Sequence, residues 1–88
     1  MKITSSYILS RLDLTGRFKT TGSKAELQQL VGAIIVESRI LNPNISVKIY
    51  SNEEQQVETF NQIRFPNKKK FSVYFQLDSL DKILIFIR

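Results

Sequence analysis

At 88 residues, with six Phe, three Tyr and 42% hydrophobic residues, the chain reads as one small domain, residues 1–88. A domain of this size buries roughly 60–65% of its unfolded surface around a single core. It has no Cys and no His, which excludes disulfides and thiolate metal sites and removes the imidazole best suited to proton transfer near neutral pH. The net charge of +5 points to an acidic partner, whether nucleic acid, an anionic surface or an acidic protein face.

The N-terminal MKITSSYILSRLDL has one Lys ahead of a short apolar run broken by Ser10 and Arg11. It reads neither as a secretory leader nor as a spanning helix, which needs about 20 apolar residues. The expectation is a cytoplasmic protein that makes no membrane contact. Within residues 2–14, Tyr7, Leu9 and Arg11 alternate with Ile8, Ser10 and Leu12, the period of a half-buried strand. The competing reading is a short helix capped by Ser5 or Ser6, with Ile8 and Leu12 on one face; the strand is the expectation. A turn at 14–16 and a short second strand over Arg17–Thr20 follow.

The clearest element is a helix from Lys24 to Leu41. Ser23 and Glu26 have capping-box spacing, and Leu27, Leu30, Val31, Ile34, Ser38 and Leu41 share one face. Asn42-Pro43-Asn44 ends it, because proline cannot continue the hydrogen-bond ladder. ISVKIY, residues 45–50, alternates and is β-branched, as a strand should be. Ser51 and Glu54 repeat the capping spacing, and Val57, Phe60 and Ile63 predict the buried stripe of a shorter helix. Glu53 and Glu54 stand at its start and Arg64 near its end, and Phe65-Pro66-Asn67 closes it. FSVYFQL (71–77) and KILIFIR (82–88) read as strands joined by a turn from Asp78 to Asp81, an antiparallel hairpin.

The order β(β)-α-β-α-β-β predicts an α+β fold. It would be a small two-layer α/β sandwich with two helices on one face of a mixed or antiparallel sheet, a ferredoxin-like arrangement.

GRFKTTGSK, residues 16–24, resembles a phosphate-binding loop at first sight. A Walker A loop requires G-x-x-x-x-G-K-[ST], whereas here five residues separate Gly16 from Gly22 and Ser23 precedes Lys24. What remains is a helix N-terminus that could hold one phosphate with Arg17, Lys19 and Lys24, set against an ordinary turn and cap, which is the simpler account. The pairs Asp78/Asp81 and Glu54/Glu58 lack a third ligand or a nucleophile and read as turn and helix-surface residues. With no histidine to activate the serines and threonines, the chain is read as non-enzymatic and without a cofactor or metal.

The strand patterns are more informative. Ile45, Val47 and Ile49 oppose Ser46, Lys48 and Tyr50, and Phe71, Val73, Phe75 and Leu77 oppose Ser72, Tyr74 and Gln76. In the last strand, Ile83, Ile85 and Ile87 oppose Leu84 and Phe86, so both sides are apolar and something must cover one of them: residues 1–14 or a partner. If the helices cover the first sets, the far face shows Lys48, Tyr50, Tyr74 and Gln76, with Phe86 of the last strand a further candidate. An open sheet of this kind resembles the RNA-recognition-motif architecture, in which exposed aromatics stack bases and basic loops hold the backbone. The resemblance is architectural: Phe71 and Val73 stand where the family's sequence signature has small residues.

The leading expectation is therefore a nucleic-acid-binding module. Tyr50, Tyr74 and Phe86 would stack bases, and Arg17, Lys19, Lys24, Lys48 and Lys68, Lys69 and Lys70 would hold phosphates. Lys68–Lys70 and the basic N-terminal segment would form one electropositive rim if their loops share an edge of the sheet. The alternative is a small protein-binding subunit, adaptor or inhibitor that docks on an acidic partner, or forms a homo-oligomer, through the sheet face or through the 82–88 strand, read as an edge strand open to pairing.

Overall fold

Residues 5–15 form a helix rather than the expected strand. In this helix, α1 (Ser5–Thr15), the Thr4 hydroxyl caps the start by accepting from the Tyr7 N–H, and Gly16 ends it in the left-handed conformation at φ 80°. The Gly16 N–H donates to the Leu12 carbonyl at 2.8 Å, a closure that favours glycine because a Cβ is strained at positive φ. Ile8 and Leu12, four apart, are buried on the inner side. A helical period of burial has prevailed over the alternation of Tyr7, Leu9 and Arg11, and the cap is Thr4 rather than Ser5 or Ser6.

The computed structural model describes residues 3–51, 56–57, 69–79 and 81–88. After α1 come β1 (Arg17–Gly22), α2 (Lys24–Leu41), β2 (Ser46–Tyr50), β3 (Gln56–Val57), β4 (Phe71–Ser79) and β5 (Lys82–Ile87). The α+β class and the two-layer sandwich are as expected, with two helices against a mixed sheet in the order β1-β4-β5-β2-β3. β4 and β5 form the expected antiparallel hairpin, with a bulge between Leu77 and Ser79, and β2 runs parallel to β5. Residues 56–57, expected inside a second helix, pair instead with Ile49 and Tyr50; the rest of that expected helix lies outside the described residues.

α2 has the predicted extent. The Ser23 hydroxyl accepts from the Glu26 N–H at 3.2 Å, and the Glu26 carboxylate accepts from the Ser23 N–H at 3.0 Å. Leu27, Val31, Ile34 and Ser38 are buried as the pattern required, whereas Leu41 is 75% exposed. Leu41 is the last helical residue and flanks a groove instead of meeting the sheet. Gly22 lets β1 turn closely into this helix: a Cβ there would stand 3.4 Å from the Glu26 Cβ and 3.5 Å from the Leu27 Cδ2.

Ile8 and Leu12 of α1 and Leu27, Val31 and Ile34 of α2 share one core with Ile49, Phe71, Val73, Phe75, Ile83, Ile85 and Ile87. Both helices thus cover the same side of the sheet, and among the described residues no helix lies on the tyrosine-bearing side. No helix among the described residues is long and apolar enough to cross a membrane.

One reading of the last strand is corrected. β5 pairs with β4 on one side and β2 on the other, so residues 82–87 are not an edge strand and have no free backbone ladder to offer a partner.

Candidate functional site

Cross-strand register arranges the open face in rows. Residues directly opposite one another on neighbouring strands point to the same side. Lys19 pairs with Tyr74, Tyr74 with Phe86, and Phe86 with Tyr50. One cation and three aromatic rings therefore cross four strands in a line about 14 Å long at the usual strand spacing. The adjacent row is Arg17, Gln76, Leu84 and Lys48, with a cation at each end. On the other side, Thr21 opposes Ser72, and Ser72 opposes Arg88 through two backbone hydrogen bonds of 2.9 Å. None of the side chains in these rows is acidic.

The rings interact with their neighbours. Tyr50 and Phe86 stack nearly parallel, with centroids 5.1 Å apart and planes at 15°. The Lys19 Nζ lies 5.2 Å from the Tyr74 centroid, and the Arg88 guanidinium lies 5.8 Å from it, both within cation–π range. Tyr50, Tyr74 and Phe86 are half-buried, while Arg17, Lys19 and Arg88 are exposed. A depression of about 250 Å³ opens beside Tyr74 and is lined by Arg17, Lys19, Gln76 and Phe86 among others.

Six of the residues singled out in the sequence therefore share one surface: Arg17, Lys19, Lys48, Tyr50, Tyr74 and Phe86. Lys24 instead begins α2 in the helical layer. Lys69 and Lys70 are exposed just ahead of β4, and Lys68 lies outside the described residues. Because Gly22 pairs with Phe71 and Arg17 with Gln76, Lys70 and Arg17 approach opposite ends of β1, about 17 Å apart along a strand. The described cations are distributed over the face and a corner rather than along one rim.

That corner also answers the question raised by residues 16–24. The Ser23 N–H is already taken by the Glu26 carboxylate. This hydrogen bond, then the one to the Ser23 hydroxyl, holds Glu26 below the usual carboxylate range against the opposing effect of burial, with a smaller contribution from the charge of Lys70. A helix N-terminus occupied by its own carboxylate does not suit a phosphate, and Arg17 and Lys19 face the other side of the sheet. Asp78 and Asp81 have structural roles as well. Asp78 pairs with Lys82 at 3.8 Å, while Asp81 accepts from the Ser79 hydroxyl at 2.8 Å and its carbonyl accepts from the Ser46 N–H. Glu54 and Glu58 lie outside the described residues.

Arg88 is the residue that sequence reasoning missed. KILIFIR had been read as apolar on both faces, but the set Lys82, Leu84, Phe86, Arg88 begins and ends with a cation, a signal visible once the strand is known to be central.

A different surface lies between the helices. A groove of about 620 Å³ is lined by Leu9, Leu12, Leu41, Leu77 and Ile83, among others, with Asp13 and Glu37 also in its wall. Ile40, 74% exposed, stands beside it.

No family model, curated protein or solved structure matches the chain significantly.

Proposed function

We propose that the protein is a non-enzymatic module that binds single-stranded nucleic acid on the open face of its sheet. The observation that carries this reading is the row Lys19–Tyr74–Phe86–Tyr50, three aromatic rings flanked by cations, with no acidic side chain in this row or in the one on either side of it; Asp78, at the end of β4, is paired with Lys82. Unpaired bases stack on such rings, each worth about 1–3 kcal/mol, largely irrespective of sequence. Arg17, Lys19, Lys48 and Arg88 supply phosphate contacts on both sides of the row. A duplex, whose bases are already stacked, has little use for the rings, so the face favours single strands.

The test is fluorescence anisotropy with labelled single-stranded RNA and DNA at several salt concentrations, with a duplex of equal length beside them. Affinity should fall with salt, the duplex should bind more weakly, and Tyr74→Ala should weaken single-strand binding by about 1–3 kcal/mol. An absence of binding at low salt would sink the proposal.

The groove between α1 and α2 favours a second reading, protein association through the helical layer rather than through residues 82–88. Exposed Ile40 and Leu41 beside a concave apolar wall form the kind of patch that marks a contact site. Light scattering on the wild type and an Ile40→Asp/Leu41→Asp variant tests it. A dimer that becomes a monomer in the variant supports this reading, and a wild-type monomer removes self-association through the groove.

A further inference from the structure

The two cations over Tyr74 determine which ligands this ring accepts. A base stacking here competes for the ring with the Lys19 ammonium and the Arg88 guanidinium, both held within 6 Å of its centroid. At an exposed site each such contact is worth about two- to five-fold in affinity, so together they oppose a neutral aromatic ligand. A nucleotide within a strand brings a phosphate on either side of its base. Each displaced cation can then exchange the ring for a charge-assisted hydrogen bond, which is the stronger interaction.

The backbone is arranged for that exchange. Lys19 stands directly opposite Tyr74 on β1, and Arg88 follows β5 on the other side, fixed at its main chain by reciprocal hydrogen bonds with Ser72. Both side chains are exposed, so each can swing off the ring while its Cα stays in register.

We infer that Lys19 and Arg88 make Tyr74 a phosphate-gated base site. The ring admits the base of a phosphodiester strand, whose flanking phosphates draw the two cations away, and refuses free aromatic ligands and neutral-backbone chains. This deepens the single-strand reading and rests on it.

The experiment compares one base sequence on two backbones, phosphodiester and uncharged methylphosphonate, by anisotropy at low salt. The proteins are the wild type, Lys19→Met/Arg88→Met, Tyr74→Ala and the triple variant, each checked for an unchanged urea midpoint; Arg88→Met alone stands in if the double variant fails to fold. The double variant should bind the phosphodiester strand at least about five-fold more weakly yet the methylphosphonate strand several-fold more tightly, up to about 25-fold if both cation contacts act in full. That gain should vanish in the triple variant, because it comes from the freed ring. Phosphodiester binding together with unchanged or weaker methylphosphonate binding in the double variant would overturn the gate and leave the single-strand reading standing. Wild-type protein that binds no phosphodiester strand would overturn both.

Discussion

β4 and β5 serve two faces with alternate residues, and the two faces are built on opposite principles. On the helix side, Phe71, Val73, Phe75, Ile83, Ile85 and Ile87 are at most 4% exposed; each is enclosed by apolar neighbours. On the other side, Ser72, Tyr74, Leu84 and Phe86 are half-buried and Gln76 is exposed, with cations around them. One face holds the fold together, and the other presents rings and charge to solvent. The difference shows how a strand of nine residues can separate stability from recognition at single-residue resolution, because the period of two sends neighbours to opposite sides.

The separation is testable by substitutions one position apart. Phe75→Ala removes a buried ring from the core and should cost about 3–5 kcal/mol in urea denaturation. Tyr74→Ala, its neighbour, should shift the unfolding midpoint far less while weakening strand binding by about 1–3 kcal/mol. If Tyr74→Ala unfolds the protein as severely as Phe75→Ala, the two faces are not independent and the comparison breaks. A finer division concerns the rows of the open face. Lys48→Gln removes a cation from the row without a stack, so it should lower the slope of log affinity against log salt by about 0.7 and leave any base preference unchanged.

The smallest effect belongs to the helical layer. Glu26, held low by Ser23, binds its proton less readily in the folded chain than in the unfolded one. The stability it contributes is therefore complete above the unfolded carboxylate pKa and is lost as pH falls through the lower folded value. Denaturation measured from pH 6 down to pH 3 should show a slightly steeper loss in the wild type than in Glu26→Gln, with strand binding equal in the two at pH 6.

What was legible in the sequence follows the range of the interactions involved. α2 could be read in full up to its last turn because its capping box and its buried stripe are local. The inner and outer sets of β2 and β4 were legible for the same reason, and they place Tyr50 and Tyr74 together before any strand order is known; in β5 both sets are apolar, so the side that Phe86 takes was not. Residues 5–15 were not legible, because Ile8 and Leu12 satisfy both a strand period and a helix period; the deciding signals are the Thr4 cap and Gly16, whose turn fits the end of a strand as well as the end of a helix. Nor did any local pattern tell that β5 sits between β4 and β2. That pairing joins residue 48 to residue 84, and sequence separation of this kind leaves no periodic trace. The dispersal of the cations is a consequence of the same order, since neighbours across a sheet are set by topology rather than by proximity in the chain.

The central position of β5 also has a bearing on biosynthesis. β2 can form its parallel pairing only after residues 82–86 have been made, whereas β1 and β4 are already available to each other. At about 5–20 residues per second, the interval between Tyr50 and Phe86 is about 2–7 s. During that time Ile49 and its neighbours lack their parallel partner strand. A nascent chain arrested before residue 82 should therefore remain protease-sensitive, and one carrying residues 82–88 beyond the ribosome should acquire resistance in a single step.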